Sequence, residues 1–326
     1  MSASTAKSVA SPNIAFIKYW GNREHTLRIP SNRSFSMTLG GLETETSVTL
    51  LEPPSDDVFI LNGTEQVGES LNRVSSFLST VRTLAGREEA VRVVSRNSFP
   101  AGSGIASSAA AFSALALAAS EAFSLHLSPV ELSILARRGS GSAARSVFGG
   151  FVEMNTGKND VEAFASPFLP PEHWQLHDWI AVVDKSHKST GSSQGHALAE
   201  TSPIQTARIK DTKRRMKLCQ DALKNRDFEA FAEIVEQDSN LMHAVMLTST
   251  PSLLYLLPAS LQIMRSVKAW RKEGIEACFT IDAGPNVHVI STPEYADVVK
   301  QKLHEIEAVG EIIHAVPGRG ARLIDA

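Results

Sequence analysis

The sequence predicts an α+β protein of two lobes, and three observations carry that expectation. Strand-like and helix-like periodicities occur together in both halves of the chain, which reads as mixed rather than all-helical or all-β architecture. The texture changes midway: short β-like runs rich in Ser and Gly prevail to about residue 155, and long helical patterns dominate thereafter. At 326 residues the chain is long for one core and comfortable for two packed lobes. The expected division is 1–175 and 176–326.

Taken in order, Thr44–Leu51 alternates in the strand manner and Val91–Ser95 reads as another strand. Ala106–Ala122 is apolar almost all round, so it is expected as a helix buried in the first lobe. Pro129–Arg138 follows as a helix with Ser128 as its N-cap, and Gly150–Met154 as a strand. Ala165–Trp174, with three prolines, reads as a connecting loop. Trp179–Asp184 is the next strand. Helices are expected over 203–224, 228–243 and 252–273, strands over Ala277–Asp282 and Val287–Ser291, and a helix over Pro293–Val309. Strands at Glu311–Ala315 and Ala321–Ile324 close the chain.

Composition narrows the function. The net charge of −3 argues against a nucleic-acid surface. No segment approaches the roughly 20 apolar residues of a membrane span. Met1–Ser11 lacks an apolar core, so no secretory signal is expected, and the expected compartment is the cytoplasm. Cys219 and Cys278 have no metal-ligand spacing; a disulfide between them stays open.

Chemistry concentrates in a few segments. Phe99–Ala110 (Phe-Pro-Ala-Gly-Ser-Gly-Ile-Ala-Ser-Ser-Ala-Ala) joins a strand to the buried helix. Gly102 and Gly104 let backbone N–H groups converge, and Ser107 and Ser108 add hydroxyls at the helix start, an arrangement suited to a phosphate chain. Lys18 sits among Ile14, Phe16 and Ile17, where an ammonium needs an anionic partner. Asp282 ends an apolar strand before Ala-Gly-Pro, where a carboxylate projects from a sheet edge. Arg145 follows a Ser/Gly loop that can surround an oxyanion. Arg137 and Arg138 read as a solvated helix end, and His243 as a structural hydrogen bonder.

The Gly/Ser loop resembles the ATP loop of the small-molecule kinases that include galactokinase, homoserine kinase, mevalonate kinase and phosphomevalonate kinase. Further motifs narrow the likeness: 12–21 (Pro-Asn-Ile-Ala-Phe-Ile-Lys-Tyr-Trp-Gly) with 30–39, then 136–151, 238–243 and 282–286. In this order they resemble mevalonate diphosphate decarboxylase from about residue 8 to the C-terminus. The resemblance implies a ribosomal-protein-S5-domain-2-like first lobe, a ferredoxin-like α/β second lobe and an active site between them. It implies Asp282 and Lys18 as catalytic residues. Tyr19, Asn22, Ser140, Ser142, Arg145 and Ser192 would bind substrate. Gly102, Ser103, Gly104, Ala106, Ser107, Ser108 and Lys188 would bind ATP, with Ser107 and Ser108 also near Mg2+. A small-molecule substrate and a homodimer are implied, with neither nucleic acid nor membrane as partner.

Two positions depart from the family. Asn22 stands where the family carries a Lys that contacts the substrate's diphosphate, and Ser193 where some bacterial relatives carry Arg. A lost charge-assisted contact is worth about 1.5–3 kcal/mol. The reading therefore favours mevalonate 5-phosphate as substrate and isopentenyl phosphate as product, with the 5-diphosphate as the alternative. Arg33 and Arg73 are the sequence's candidates for a replacement cation. A kinase that stops at phosphoryl transfer and a non-catalytic nucleotide-binding regulator remain the rival classes.

Overall fold

The computed structural model describes residues 4–99, 107–186 and 190–325. The expected Gly102, Ser103, Gly104, Ala106 and Lys188 lie outside the described residues. The first half runs β1 (Thr5–Ala10), β2 (Asn13–Ile17), the short pair β3 (Asn22–Glu24) and β4 (Ile29–Pro30), β5 (Ser34–Gly40), β6 (Thr44–Leu50), β7 (Val58–Leu61) and β8 (Thr64–Gln66). It continues with α1 (Glu69–Ala85), β9 (Val91–Asn97), α2 (Ser107–Ala122), α3 (Pro129–Gly139), α4 (Ala143–Ser146), β10 (Phe151–Met154) and β11 (Ala165–Leu169). The second half holds β12 (His177–Val182), α5 (Ser192–Leu198), α6 (Gln205–Asn225), α7 (Phe228–Thr248), α8 (Pro258–Lys272), β13 (Ala277–Thr280), β14 (Val287–Ser291), α9 (Ala296–His304), β15 (Glu311–Pro317) and β16 (Arg322–Ile324).

Two sheets organise these elements. The first has the order β16-β1-β6-β9-β7-β8, and β6 shows the strict buried/half-buried alternation expected of a sheet with one covered face. Covering it is α2, whose run of Ala and Ser lets it pack against β1 and β6 on one side and α3 and α4 on the other. That is why α2 is apolar all round. The Ser128 hydroxyl accepts the Glu131 N–H, and Glu131 answers the Ser128 N–H, completing a capping box at the start of α3.

The second sheet has the order β11-β10-β5-β15-β12-β14-β13, with β2 also paired to β5. It crosses between the halves, because β15 pairs with β5 as well as with β12. The chain's last strand, β16, returns to the first sheet beside β1. A central core of Phe16, Phe35, Phe151, Phe231 and Ile290 forms between this sheet and the α6–α7 pair.

Several expectations shift. Ala165–Trp174 is not all loop: β11 is an edge strand paired only to β10, a place where Pro167 needs no ladder N–H. The helix expected from 252 starts at Pro258, because proline suits the first helical position while extended Leu257 precedes it. The segment from Pro293 begins as a 3-10 turn and becomes α-helix only at Ala296. Helix α1 is not among the elements expected from sequence, although Leu71, Val74, Leu78 and Val81 mark one helical face. Arg137 and Arg138 are not a solvated helix end. Arg137 is fully buried, its Nε donates to Ala163 O at 2.8 Å, and both guanidiniums pair with Asp160. Cys219 and Cys278 are free thiols in the core, both raised well above their ordinary pKa by burial. Among the described residues no helix is long and apolar enough to cross a membrane.

Candidate active site

A polar cleft opens where β2, α2, the loop ahead of α4, α5 and the β13–β14 turn converge. Its lining includes Lys18, Tyr19, Ser107, Ser108, Ser140, Ser142, Arg145, Ser192 and Asp282. These come from segments far apart in the chain; Lys18 and Asp282 alone are separated by 264 positions.

At one end Lys18 Nζ donates to Asp282 Oδ1 at 2.7 Å. Lys18 is almost wholly buried, whereas the Asp282 side chain keeps 27% of its surface exposed toward the cleft. Burial pushes the ammonium's pKa down and Asp282 resists that fall. For Asp282, burial pushes upward, but Lys18, with His288 and Arg145, outweighs it, so the carboxyl sits below its usual range and is ionised near neutrality. The pair is held through its backbone. Lys18 N–H donates to Asp238 Oδ1, and Lys18 O accepts from Arg208 Nη2 and Asn32 Nδ2. Ile281 N–H, one residue before Asp282, donates to Ser239 Oγ.

Arg145 enters from α4, its guanidinium donating to Asn13 Oδ1, Ser36 Oγ and Ser34 Oγ. All these partners are neutral, and burial lowers the guanidinium's pKa to about 10. A buried cation with no carboxylate in contact among the described residues is a ready anion site. Ser108, Ser140 and Ser142 form a chain of hydroxyls at 3.2 and 3.4 Å, leading from the start of α2 into the cleft. Ser107 and Ser108 also line a second cavity, more apolar, built from Phe59, Leu61, Val74, Val93, Phe112 and Leu115 with Thr46, Ser95, Asn97 and Arg73. The two cavities therefore meet at the first turn of α2.

Asn22 does not line the cleft. It is buried behind Tyr19, whose hydroxyl donates to Asn22 Oδ1, so its acceptor is spent inside the protein. Neither cation named as its replacement reaches the cleft: Arg33 pairs with Glu153, and Arg73 lies over the Phe112 ring in the second cavity. A third cation lines the cleft beside Lys18 and Arg145: Arg28, which sequence reading missed. Arg28 donates to Arg138 O at 3.1 Å and Ser193 Oγ at 3.4 Å and has no carboxylate partner among the described residues. Its only sequence signal was a basic residue between Leu27 and Ile29 just before Pro30. His196 was also missed, though it follows Ser192 by one helical turn. His243 is buried beside the ion pair, and burial together with the Lys18 charge lowers its pKa to about 4. Among the described residues no cluster of three or more His, Cys, Asp or Glu is placed to hold a metal.

With this geometry in view, the likeness to known proteins is extensive. The Diphosphomevalonate decarboxylase-like N-terminal domain matches residues 10–165. The Mevalonate 5-diphosphate decarboxylase C-terminal domain matches residues 179–319. A diphosphomevalonate decarboxylase from Ganoderma lucidum is 37% identical over 319 residues, covering 90% of this chain and 80% of the relative. A phosphomevalonate decarboxylase from Haloferax volcanii is 33% identical over 300 residues, covering 91% of each. A solved structure in complex with MVAPP, AMPPCP and magnesium superposes with a TM-score of 0.94 at 37% identity over the whole of both chains. Matched in both halves and over nearly its full length, the chain belongs to the mevalonate diphosphate decarboxylase family of ATP-dependent carboxy-lyases.

Proposed function

We propose that the protein converts mevalonate 5-diphosphate to isopentenyl diphosphate, with ATP as phosphoryl donor. This revises the 5-phosphate preference drawn from Asn22. The observation that carries the revision is Arg28, a cleft-lining guanidinium with no carboxylate partner among the described residues, which supplies the cation Asn22 lacks. The Ganoderma relative points the same way; the Haloferax relative keeps the 5-phosphate as the competing substrate.

Lys18 holds Asp282 at 2.7 Å, whereas Arg28 donates to Ser193 Oγ, which lines the cleft together with Tyr19. This supports a substrate laid lengthwise, with C3 at Asp282 and the phosphates toward Tyr19 and Arg28. Arg145, whose partners among the described residues are all neutral and whose charge acts on both Lys18 and Asp282, suits the C1 carboxylate. The second cavity, with an apolar wall and polar Asn97 and Ser95, suits a nucleobase, and the start of α2 suits the phosphates that follow it. Mg2+ bound with ATP would neutralise phosphate charge, and the hydroxyls of Ser107 and Ser108, where the two cavities meet, are its candidate protein contacts.

The reaction follows from these positions. The C3 hydroxyl oxygen bonds to the γ-phosphorus as the bond to ADP breaks, and Asp282 receives the hydroxyl proton. The C3–O bond then breaks with its electron pair leaving on phosphate. The C1–C2 pair closes a C2=C3 double bond and CO2 departs. Asp282 and Lys18 hold the reacting carbon in a fixed field while positive character develops there. The test is kcat/KM for the 5-diphosphate and the 5-phosphate with wild-type enzyme and Arg28→Ala. Wild type should prefer the 5-diphosphate, and Arg28→Ala should lose about ten- to a hundredfold on it. A wild-type preference for the 5-phosphate overturns the reading.

A further inference from the structure

His196 is placed more tightly than a bystander on a short surface helix. Its ring centroid lies 4.2 Å from Tyr19 and 4.6 Å from Trp20. The helix reaches this depth because residue 195 is glycine; a Cβ there would stand 2.5 Å from the Trp20 ring. His196 Nδ1 accepts the Gly21 N–H at 3.0 Å. Gly21 is itself fixed, with φ +95° and Gln205 Nε2 2.6 Å from where a Cβ would be, so that N–H cannot be redirected by a side chain. With Nδ1 occupied as an acceptor, the neutral ring carries its proton on Nε2. No acceptor for that proton is present among the described residues, and the ring borders the cleft beside Tyr19, Arg28 and Ser193.

Resting on the diphosphate reading above, we propose that His196 is a specificity-determining residue that donates from Nε2–H to the distal phosphate of the substrate beside Arg28. The electrostatics agree: burial, with Arg28 and then Arg208, His25 and Arg145, holds the ring's pKa down to about 3, so it is neutral at any working pH. A neutral donor adds a directed bond to the phosphate without adding a further cation to a cleft that already holds Lys18, Arg28 and Arg145. The His196 ring centroid lies 4.2 Å from that of Tyr19, and Arg28 reaches Ser193 on the same helix, so this donor stands with the residues assigned to the phosphates.

The proposal is tested with dissociation constants for the 5-diphosphate and the 5-phosphate, measured by calorimetry without ATP on wild type, His196→Leu and His196→Gln. Leu should weaken the 5-diphosphate about tenfold and the 5-phosphate less than about twofold, and Gln, with an N–H at similar reach, should restore most of the loss. Side-chain 15N shifts of wild-type His196 should report the Nε2–H tautomer, a readout that does not depend on a variant folding. Equal losses for both substrates, no loss for either, or a proton on Nδ1 overturns the proposal. A wild-type enzyme that binds the 5-phosphate more tightly sinks the diphosphate reading instead, and His196 is then decided by whether Leu still removes 5-diphosphate affinity alone.

Discussion

Asp238 and Ser239, consecutive residues of α7, anchor the backbone on the two sides of the Lys18–Asp282 ion pair, Asp238 at Lys18 itself and Ser239 at Ile281, the residue before Asp282. Lys18 N–H donates to Asp238 Oδ1 at 2.7 Å, and Ile281 N–H donates to Ser239 Oγ at 3.0 Å. Asp238 is fully buried and also receives Arg215 Nε at 2.6 Å. Asp238→Ala leaves Arg215 without its buried partner and should cost about 3–5 kcal/mol. Ser239→Ala strands one buried N–H and should cost about 1–3 kcal/mol. Urea denaturation of both variants checks the order; an Asp238 loss no larger than the Ser239 loss would show that Asp211, which also pairs with Arg215 at 2.9 Å, suffices for its charge.

Asp282→Asn should abolish turnover while nucleotide affinity stays within about twofold of wild type. Asp282 lines the first cleft, whereas the second cavity, proposed for the nucleotide, meets that cleft among the described residues only at Ser107 and Ser108. A loss of at least about a thousandfold in kcat, roughly 4 kcal/mol in the barrier, is expected. A variant that kept a tenth of the wild-type rate would make Asp282 a structural residue.

His243 gives stability a pH dependence of known sign. Its pKa is about 4 in the fold, below its ordinary value of 6.5, so between those values the unfolded chain binds the extra proton. The stability tied to its neutral ring is full above about pH 6.5 and drains away as pH falls toward 4. Its slope approaches about 1.4 kcal/mol per pH unit. His196, at about 3, adds a second contribution of the same sign. Unfolding free energies at pH 7, 6 and 5 should show this slope, and His243→Gln should remove one histidine's share; an unchanged slope in the variant rejects the assignment.

Arg137 and Arg138 are neighbours with unequal weight. Arg137→Met leaves Asp160 and the Ala163 and Leu27 carbonyls without their buried donor. The expected loss is about 3–5 kcal/mol. Arg138 is 27% exposed, and Arg138→Met should cost no more than about 1 kcal/mol. Thermal unfolding midpoints decide it, and equal shifts would show that the pair shares its load.

Much of the fold was legible because its signals are local. Alternation in Thr44–Leu50, the capping box at Ser128 and the alanine-rich run of α2 each act within a few residues. Misjudged elements depended on neighbours that sequence does not display: β11 is a strand because an edge position beside β10 tolerates Pro167. Arg137 looked like a solvated helix end until Asp160 came into contact with it.

The same division runs through the site. Sequence by itself determined the chemistry available: an acid ending an apolar strand, a lysine among apolar residues that needs an anion, and a Ser/Gly turn opening an apolar helix. Only the tertiary structure decided which charges share the cleft. It turned Asn22 inward beneath Tyr19, sent Arg33 to Glu153, and brought Arg28 and His196 into the lining of the cleft that holds Asp282. The reason is physical. A residue's chemistry and its immediate backbone preference travel with the chain, but the surface its side chain meets is set by packing between segments far apart, here 110 positions from Arg28 to Arg138 O and 175 from Gly21 to His196.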